Sequence, residues 1–338
     1  MKLPSPCRKL AHHFLHLAEL IQQLVPSAER VRFTNSGTEA NLMAVSAARA
    51  FTERTGVMVM SGGYHGSVFY FAPGGSPLNA PFPYVMGAYN DNDKCRDLIR
   101  ENRADLACII VEPMQGGGGC ISGSQEFLNM LRMESEKIGA LLIFDEVMTS
   151  RLGSGGLQGI LGITPDLTSL GKYVGGGMSF GAFGGRADII DRFDPRRDDA
   201  WPHAGTFNNN VLTMNAGLAG LTKVYTASIA EGFNARGDIL RNALNHMADK
   251  HGADMQFTGR GSMMTAHFRK GEIRNVEDSA EGRNELKPLL HMDMVAHGIY
   301  PAARGMFTLS LAHGEDEFSA LEDAMEEFLI SRNSLLRF

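Results

Sequence analysis

An excess of positive charge is the first feature that this sequence lacks. Its 338 residues include 32 Lys and Arg against 38 Asp and Glu, so the formal net charge is -6. A protein with this balance presents no strong basic field to nucleic acid or to an anionic membrane surface. Small-molecule chemistry is therefore the starting hypothesis, with no nucleic acid and no membrane as partners.

Cysteine is also sparse, and its spacing excludes the common cysteine frameworks. The four cysteines are Cys7, Cys95, Cys108 and Cys120, which form no CxxC pair and have no companion histidines at metal-ligand spacing. They are interpreted as reduced, intracellular cysteines, and no metal site is predicted.

Long apolar runs are missing too, and none approaches the roughly 20 residues of a membrane span. Near the start, Arg8 and Lys9 lead into residues 10–24, where histidines, a glutamate and glutamines interrupt every apolar stretch. This pattern is unlike the apolar core of a signal peptide, so a cytoplasmic location is the default prediction.

The glycine clusters at residues 116–119 and 153–159 do not form the GxGxxG pattern of a dinucleotide site.

What is present is an alternation of strand-like and helix-like segments. The chain is long enough, and at 43% hydrophobic residues apolar enough, to bury a large core and divide into two domains. Helical spacing over residues 10–24 ends at Pro26. Strand-like runs at 31–33, 57–60, 107–111 and 141–144 then alternate with helical stretches at 39–51 and 128–138. This order predicts an α/β domain with its site at the carboxyl ends of the strands.

The pattern changes near residue 228. Before that point, residues 180–185 predict a strand and residues 211–225 predict one long helix. After it, a helix to residue 250, a strand-like stretch at 255–268, a helix at 286–297, a strand at 306–311 and a helix at 318–330 indicate a smaller α+β domain. The predicted organisation is an N-terminal helix at 1–30, a large domain at 31–227 and a small C-terminal domain at 228–338.

Two ionisable residues stand at the ends of apolar runs in the large domain. Lys172 enters a glycine-rich loop after residues 166–171, and a lysine in a dry site can act as a free amine that condenses with a carbonyl to give a Schiff base. A solvated loop lysine is the plainer interpretation. Asp145 ends the run at 141–144, where it could cap a loop, pair with an arginine, or hold a protonated ring nitrogen as an anion.

A possible anion site precedes them in the chain. Ser36, Gly37 and Thr38 follow a short strand and open a helix, and backbone N–H groups and hydroxyls at a helix start bind phosphate well. A plain N-cap by Ser36 or Thr38 is the simpler alternative. Tyr64, between glycines in residues 61–66, could stack on a flat ligand or only pack against a neighbouring loop.

These features occur together, in an order that resembles a known family, the class III aminotransferases of fold type I, which use pyridoxal 5'-phosphate (PLP). The residues that carry the likeness are Asn35-Ser36-Gly37-Thr38-Glu39-Ala40, Gly63-Tyr64-His65-Gly66, Val111-Glu112-Pro113, Phe144-Asp145-Glu146-Val147, Gly171-Lys172 and Gly205-Thr206-Phe207. Within the class, the sequence is similar to glutamate-1-semialdehyde aminomutases and more similar to β-amino-acid aminotransferases typified by β-phenylalanine aminotransferase. The runs at 32–43, 144–152 and 206–210 look like the second branch, and residues 67–84 are shorter than the gating loop of the first.

The resemblance implies a fold and a set of roles. The large domain would hold PLP on a mostly parallel sheet between helices, with Lys172 binding it covalently and moving a proton during transfer. Asp145 would keep the pyridine nitrogen protonated. Tyr64 and Val147 would lie on opposite faces of the ring, and Ser36, Gly37 and Thr38 would bind the phosphate.

Three further expectations follow from the resemblance. A threonine like Thr206 reaches the phosphate from the partner subunit in this family, so a homodimer with a shared active site is implied. Arg304 is expected to clamp a substrate carboxylate, although a surface arginine is the alternative. The expected activity is ping-pong transfer from a β-amino acid to a 2-oxo acid.

One departure from the family concerns the start of the chain. Family members carry a further N-terminal segment that supplies part of the substrate pocket, and the sequence is expected to lack it. A glutamate-1-semialdehyde-type aminomutase and a truncated, non-catalytic PLP-binding protein therefore remain as alternatives at this stage.

Overall fold

A computed structural model describes the backbone of residues 5–72 and 74–338 and the side chains of residues 14–72 and 74–338. The side chains of Cys7, Arg8 and Lys9 lie outside these ranges. Within them the chain forms two compact units. The N-terminal unit comprises the residues up to Pro113 together with 123–230, and the C-terminal unit comprises 114–122 together with 231–338.

The elements of the chain, in order, have the following bounds. They are α1 (Ser5–Leu24), β1 (Arg30–Thr34), α2 (Gly37–Thr52), β2 (Gly56–Met60), β3 (Tyr84–Gly87), α3 (Asn92–Glu101), β4 (Leu106–Val111), β5 (Met114–Gln115), β6 (Ile121–Ser122), α4 (Gln125–Ile138), β7 (Leu141–Asp145), α5 (Gly156–Leu161), β8 (Leu167–Gly171), β9 (Gly181–Gly185), α6 (Ala187–Ile190), α7 (Val211–Ala219), α8 (Ala227–Lys250), β10 (Gln256–Arg260), β11 (Met263–His267), α9 (Val276–Ala280), α10 (Leu286–Ala296), β12 (Met306–Thr308) and α11 (Glu315–Ser331).

A seven-stranded sheet with the order β1-β9-β8-β7-β4-β2-β3 forms the centre of the N-terminal unit. The pairs β3–β2, β2–β4, β4–β7 and β7–β8 are parallel, whereas β9 runs antiparallel to both β8 and β1. The central strands β2, β4, β7 and β8 are buried along their whole length, which explains why β2, β4 and the first four residues of β7 are continuous apolar runs rather than alternating ones. The predicted α/β architecture with a mostly parallel sheet is confirmed.

Hydrophobic side chains on both sides of this sheet hold the N-terminal unit together. Val59, Ile110 and Ile143 are within 1% of complete burial, and α2 contributes alanines that let its backbone approach the strands. Complete burial of one such branched side chain stabilises a fold by about 1.5–3 kcal/mol. A second cluster, which includes Leu17 and Ile21 of α1, packs against β8, β9 and α7.

Two predicted elements are divided in the structure. The stretch predicted as one strand at 255–268 is a hairpin of β10 and β11, because Gly259 and Gly261 adopt left-handed φ angles of 130° and 54° at the turn. The helix predicted at 211–225 changes at Ala219 into a π-helical turn, Gly220–Val224, where the Tyr225 amide donates to Gly220 O at 2.7 Å. Each change follows local backbone geometry that hydrophobic spacing does not encode.

The C-terminal unit is built on a three-stranded antiparallel sheet in the order β10-β11-β12. The small β5–β6 hairpin belongs to this unit by its contacts, although it lies more than 100 residues earlier in the chain. Among the described helices, none combines the length and the apolar character that crossing a membrane requires.

Candidate active site

Lys172 begins a short 3-10 turn, Lys172–Gly175, directly after β8. Its φ of 51° lies in the left-handed region, which a non-glycine residue adopts only when its surroundings enforce it. The glycines that follow have a packing reason, since a Cβ on Gly176 would lie 2.2 Å from Ala216 O of α7. The sequence interpretation placed this amine in a dry site, but its side chain is exposed in this chain.

Asp145, the last residue of β7, is a buried carboxylate surrounded by donors. Its Oδ2 accepts hydrogen bonds from Asn41 Nδ2 at 2.8 Å and from His65 Nδ1 at 2.9 Å, and its Oδ1 accepts one from the Val147 amide at 3.0 Å. Only 4% of Asp145 is exposed. These hydrogen bonds replace the water that burial removes, and they orient a carboxylate that could face a cationic ring nitrogen.

The two side-chain donors to Asp145, Asn41 and His65, were not assigned roles from the sequence. Asn41 lies in α2 among buried alanines, and Ser169 Oγ donates to Asn41 Oδ1, which fixes the amide orientation. A carboxylate only accepts, so His65 carries its proton on Nδ1, and its buried Nε2 has no hydrogen-bond partner among the described residues. A polar side chain on the apolar face of a helix was the one signal that could have identified Asn41.

The adjacent acid, Glu146, has a different environment. Its carboxylate accepts from the Leu157 and Gln158 amides at 2.8 Å each and from the Thr149 hydroxyl at 2.8 Å. Burial raises the pKa of Glu146 despite these bonds. This carboxylate ties the start of α5 to the end of β7 and is structural.

The Val147 side chain packs against two glycines that belong to separate parts of the site. A Cβ on Gly37 would lie 2.8 Å from Val147 Cγ1, and a Cβ on Gly171 would lie 3.0 Å from the same atom. The start of α2, the turn after β7 and the end of β8 therefore meet around one side chain. Val147 can pack this closely against the backbone only because both positions lack a side chain.

The start of α2 has the geometry of a helix N-terminus that can bind an anion. Ser36 is the N-cap, with its hydroxyl accepting from the Glu39 amide at 3.2 Å, and Glu39 Oε2 accepts from the Asn35 amide at 2.8 Å. Gly66, at φ 110°, lies so close to Thr38 that a Cβ there would be 2.3 Å from Thr38 Oγ1. The plain N-cap is thus present at Ser36, and the helix start also remains partly open to solvent.

Tyr64 follows β2 and is held by its backbone. Its amide donates to Glu112 Oε2 at 2.9 Å, and its ring meets the Tyr70 ring edge-on with centroids 5.7 Å apart. The ring is 43% exposed, so one face remains available to a ligand. Contact with a neighbouring loop, the simpler of the two sequence interpretations, is present as well.

Thr206 lies in an exposed loop between β9 and α7 and makes no hydrogen bond within the described residues. The loop itself is anchored, because Asn35 Nδ2 donates to Asn208 Oδ1 at 2.8 Å and Arg32 Nε donates to His203 Nδ1 at 2.9 Å. Burial, together with the positive charge of Arg32, lowers the pKa of His203, which keeps its Nδ1 an acceptor. The structure thus fixes the loop and leaves the Thr206 side chain in solvent.

Arg304 belongs to the C-terminal unit. It is exposed, and its one described side-chain hydrogen bond is from Nη2 to Met306 Sδ at 3.2 Å. The turn that carries it is closed by Gly305 N donating to Ala302 O and Ala302 N donating to Met306 O. The Arg304 guanidinium lines a cleft of about 210 Å³ together with the glycines at 116–119.

Residues 8–286 match the family model described as Aminotransferase class-III. The chain is 49% identical over 320 residues to the beta-phenylalanine transaminase of Variovorax paradoxus, covering 95% of this chain and 74% of that protein. It is 37% identical over 339 residues to a glutamate-1-semialdehyde 2,1-aminomutase of Pyrobaculum aerophilum, covering 94% of this chain and 80% of that protein.

Solved structures give the same grouping. The crystal structure of the beta-phenylalanine aminotransferase from Variovorax paradoxus superposes with a TM-score of 0.94 at 45% identity, covering 100% of this chain and 81% of that one. A structure described as a transaminase with PLP bound superposes with a TM-score of 0.86 at 28% identity, covering 100% of this chain and 80% of that one.

Proposed function

Because the chain belongs to the class III aminotransferases, which use PLP, we propose that it transfers an amino group from a β-amino acid to a 2-oxo acid. The observation that carries this proposal is the 49% identity over 95% of the chain to a beta-phenylalanine transaminase. In a ping-pong sequence the amino donor leaves its nitrogen with the enzyme and departs as a keto acid before the 2-oxo acid binds.

The residues of the N-terminal unit suit PLP. Gly37 and Gly171 bring the start of α2 and the end of β8 against Val147, Asp145 provides a buried carboxylate, and α2 presents an open N-terminus. A flat cationic ring that carries a phosphate matches these three features. PLP, when bound, supplies an electron sink for the negative charge that develops on the substrate carbon.

Lys172 and Asp145 carry the chemical roles in this proposal. Lys172 Nζ would hold the cofactor covalently and then, once released by the incoming amine, take a proton from the substrate carbon and return one. Asp145 Oδ1 and Oδ2, already oriented by their donors, would keep a proton on the ring nitrogen.

The remaining cofactor residues would position rather than react. The Tyr64 ring and the Val147 side chain would cover opposite faces of the ring. Ser36, Gly37 and Thr38 would bind the phosphate through the amides and hydroxyls at the start of α2. The exposure of Tyr64 and the left-handed turn at Lys172 are consistent with surfaces shaped for a ligand.

Thr206 supports a further part of the proposal, a homodimer with a shared active site. Its hydroxyl is exposed on a loop that Asn208 and His203 hold in place, so it is free to contact a second copy. A phosphate bound partly by the partner's threonine would make the cofactor affinity depend on protein concentration. A cytoplasmic location completes the proposal, supported by the buried thiols of Cys95 and Cys108, which form no disulfide.

The second candidate is an aminomutase of the glutamate-1-semialdehyde type, favoured by the 37% identity to the Pyrobaculum enzyme. It would use the same lysine and the same carboxylate but would release no keto acid, because the nitrogen returns to the same molecule.

The first experiment is visible absorbance of the purified protein with added PLP, for wild type and Lys172→Ala, before and after adding 3-amino-3-phenylpropanoate. We expect a band of covalently bound cofactor in wild type alone, which bleaches with the amine and returns with a 2-oxo acid. Chromatography of the products then separates the candidates, since transfer releases a 3-oxo acid. A wild-type protein that shows no such band contradicts the proposal.

A further inference from the structure

The cleft of about 210 Å³ in the C-terminal unit is lined without any acidic residue. Its walls come from the glycine loop at 116–119, from Thr265 of β11, from the region of α9 and from Lys287 and Arg304. Two basic side chains therefore face a small cavity that no carboxylate lines. Uncompensated charge in a partly enclosed site is unfavourable unless an anion occupies it.

Lys287 lies directly beside the turn that carries Arg304. A Cβ on Gly305 would lie 3.3 Å from Lys287 Cγ, so the lysine stem runs across this turn. Lys287 forms no ion pair with any described residue, and its closest acid in sequence, Glu285, is engaged with Arg283 at 2.8 Å. Burial lowers the pKa of Lys287, as expected for an ammonium group that has lost water and gained no anion.

Thr265 supplies a second, independent observation that points to a ligand. It is 98% buried, and its Oγ1 has no hydrogen-bond partner among the described residues. A buried hydroxyl that is left unsatisfied is destabilising, so such groups are rare unless a ligand or water completes them. Alternation along β11 places Thr265 and His267 on the same face.

His267 adds no charge to the cleft. Its Nε2 lies 3.0 Å from Gly119 O, which can only accept, so the ring proton is on Nε2 and Nδ1 accepts from the Ser279 hydroxyl at 3.0 Å. Burial and the positive charge of Lys287 lower the pKa of His267 to about 4. The neutral ring fixes the glycine loop, and a Cβ on Gly119 would lie 2.7 Å from His267 Cε1.

We propose that this cleft binds a substrate carboxylate through two cations, with Lys287 as a second anchor beside Arg304 and the Thr265 hydroxyl as a donor. A carboxylate suits the site because a guanidinium fork, an ammonium group and a hydroxyl all donate. The inference rests on the proposed function, and it extends the role expected of Arg304 from the sequence, which is to clamp a substrate carboxylate. The carboxylate comes from the amino donor or from the 2-oxo acid, and kinetics distinguishes these sources.

The test uses the PLP-loaded enzyme with three substitutions. Lys287→Met removes the charge and keeps most of the stem, Lys287→Arg keeps a donor, and Lys270→Met removes a surface charge that pairs with Asp254. Donors are 3-amino-3-phenylpropanoate and 1-phenylethylamine, the same amine without its carboxylate, and the acceptor is 2-oxoglutarate. We expect Lys287→Met to raise the KM for one carboxylate substrate about tenfold with kcat retained.

Lys287→Arg and Lys270→Met are expected to stay near wild type, and 1-phenylethylamine is expected to be insensitive to all three changes. A rise confined to 3-amino-3-phenylpropanoate assigns the cleft to the donor, and a rise confined to 2-oxoglutarate assigns it to the acceptor. Unchanged KM values for both, or an equal rise for 1-phenylethylamine, overturn the inference.

A calorimetric titration with 3-phenylpropanoate and with glutarate, non-reacting carboxylates, tests the cleft without turnover. We expect one of them to bind wild type about tenfold more tightly than Lys287→Met. If wild type fails to transfer amino groups but shows this difference, the proposed function fails and the cleft assignment stands. If transfer occurs and Lys287→Met binds both probes as wild type does, the function stands and Lys287 has no such role.

Discussion

The strand-end site around Asp145 and the cleft around Lys287 differ in whether their charged side chains have partners within the fold. Asp145 accepts hydrogen bonds from three residues, so its charge is compensated within the fold. Lys287 and Arg304 have no carboxylate partner in their cleft, and Thr265 has an unsatisfied hydroxyl. A carboxylate that is held by hydrogen bonds is preorganised for a cofactor that stays bound. Two basic side chains without acidic partners suit an anionic substrate that enters and leaves.

This comparison predicts different readouts for the two regions. Changes at the first site should be visible in cofactor binding before any substrate is added. Changes in the cleft should appear only in the concentration of carboxylate substrate that the enzyme needs. The following predictions test the comparison, beginning with the largest expected effect.

Substituting the two adjacent acids one at a time separates the carboxylate that is proposed to act on the cofactor from the structural one. Asp145→Asn should lower kcat about 10²–10³-fold, because a neutral amide no longer favours a proton on the ring nitrogen. Glu146→Gln should retain kcat but lower the free energy of unfolding by about 1–3 kcal/mol, because its Nε2 donors face one of the two backbone amides, Leu157 or Gln158, that donated to the carboxylate. Steady-state rates and denaturant unfolding measure both, and equal kcat losses for the two variants would refute the distinction.

A methyl group added at Gly37 tests whether the close packing of Val147 is needed for PLP binding. Gly37→Ala places a Cβ 2.8 Å from Val147 Cγ1, which should destabilise the PLP-bound protein by up to about 3 kcal/mol and weaken PLP binding. The double variant Gly37→Ala/Val147→Ala removes the clash and should recover part of the affinity. Titration with PLP, followed by absorbance, measures this affinity. Identical affinities for Gly37→Ala and wild type would show that PLP does not bind against Gly37 and Val147.

The neutral His267 makes stability depend on pH. Its pKa is lowered to about 4 from an unfolded value near 6.5, so the unfolded chain binds more protons between these values and stability falls as the pH falls through this window. At pH 5 the loss should be about 2 kcal/mol relative to pH 7.5. Thermal unfolding of wild type and His267→Gln at both pH values measures this loss of stability. The variant should lack this component, and parallel pH profiles would contradict the assignment.

The smallest effect is expected from the helix cap. Ser36→Ala removes the acceptor for the Glu39 amide and should lower the free energy of unfolding by about 1 kcal/mol. Ser36→Asp keeps a cap but adds a negative charge beside the phosphate position, so it should weaken PLP binding more than Ser36→Ala while unfolding like wild type. Equal PLP affinities for the two variants would indicate that the phosphate binds elsewhere.

Individual elements show how far sequence reasoning reached. The continuous apolar runs of β4 and β7 were predicted because strands buried on both faces need no polar alternation. The hairpin at Gly261 and the π turn after Ala219 were missed, because both depend on backbone dihedrals at single residues. Hydrophobic periodicity averages over such positions and so merges neighbouring elements.

The sequence by itself determined the α/β architecture, the family, and the placement of Asp145 and Lys172 at strand ends, because periodicity and local motifs are written into neighbouring residues. The tertiary structure decided which groups surround them. Asn41 and His65 reach Asp145 from positions 104 and 80 residues away in the chain. The loop at 116–119 likewise joins residues of the C-terminal unit to form the Lys287 cleft. Such meetings depend on how distant elements pack, and short-range patterns carry no information about that packing.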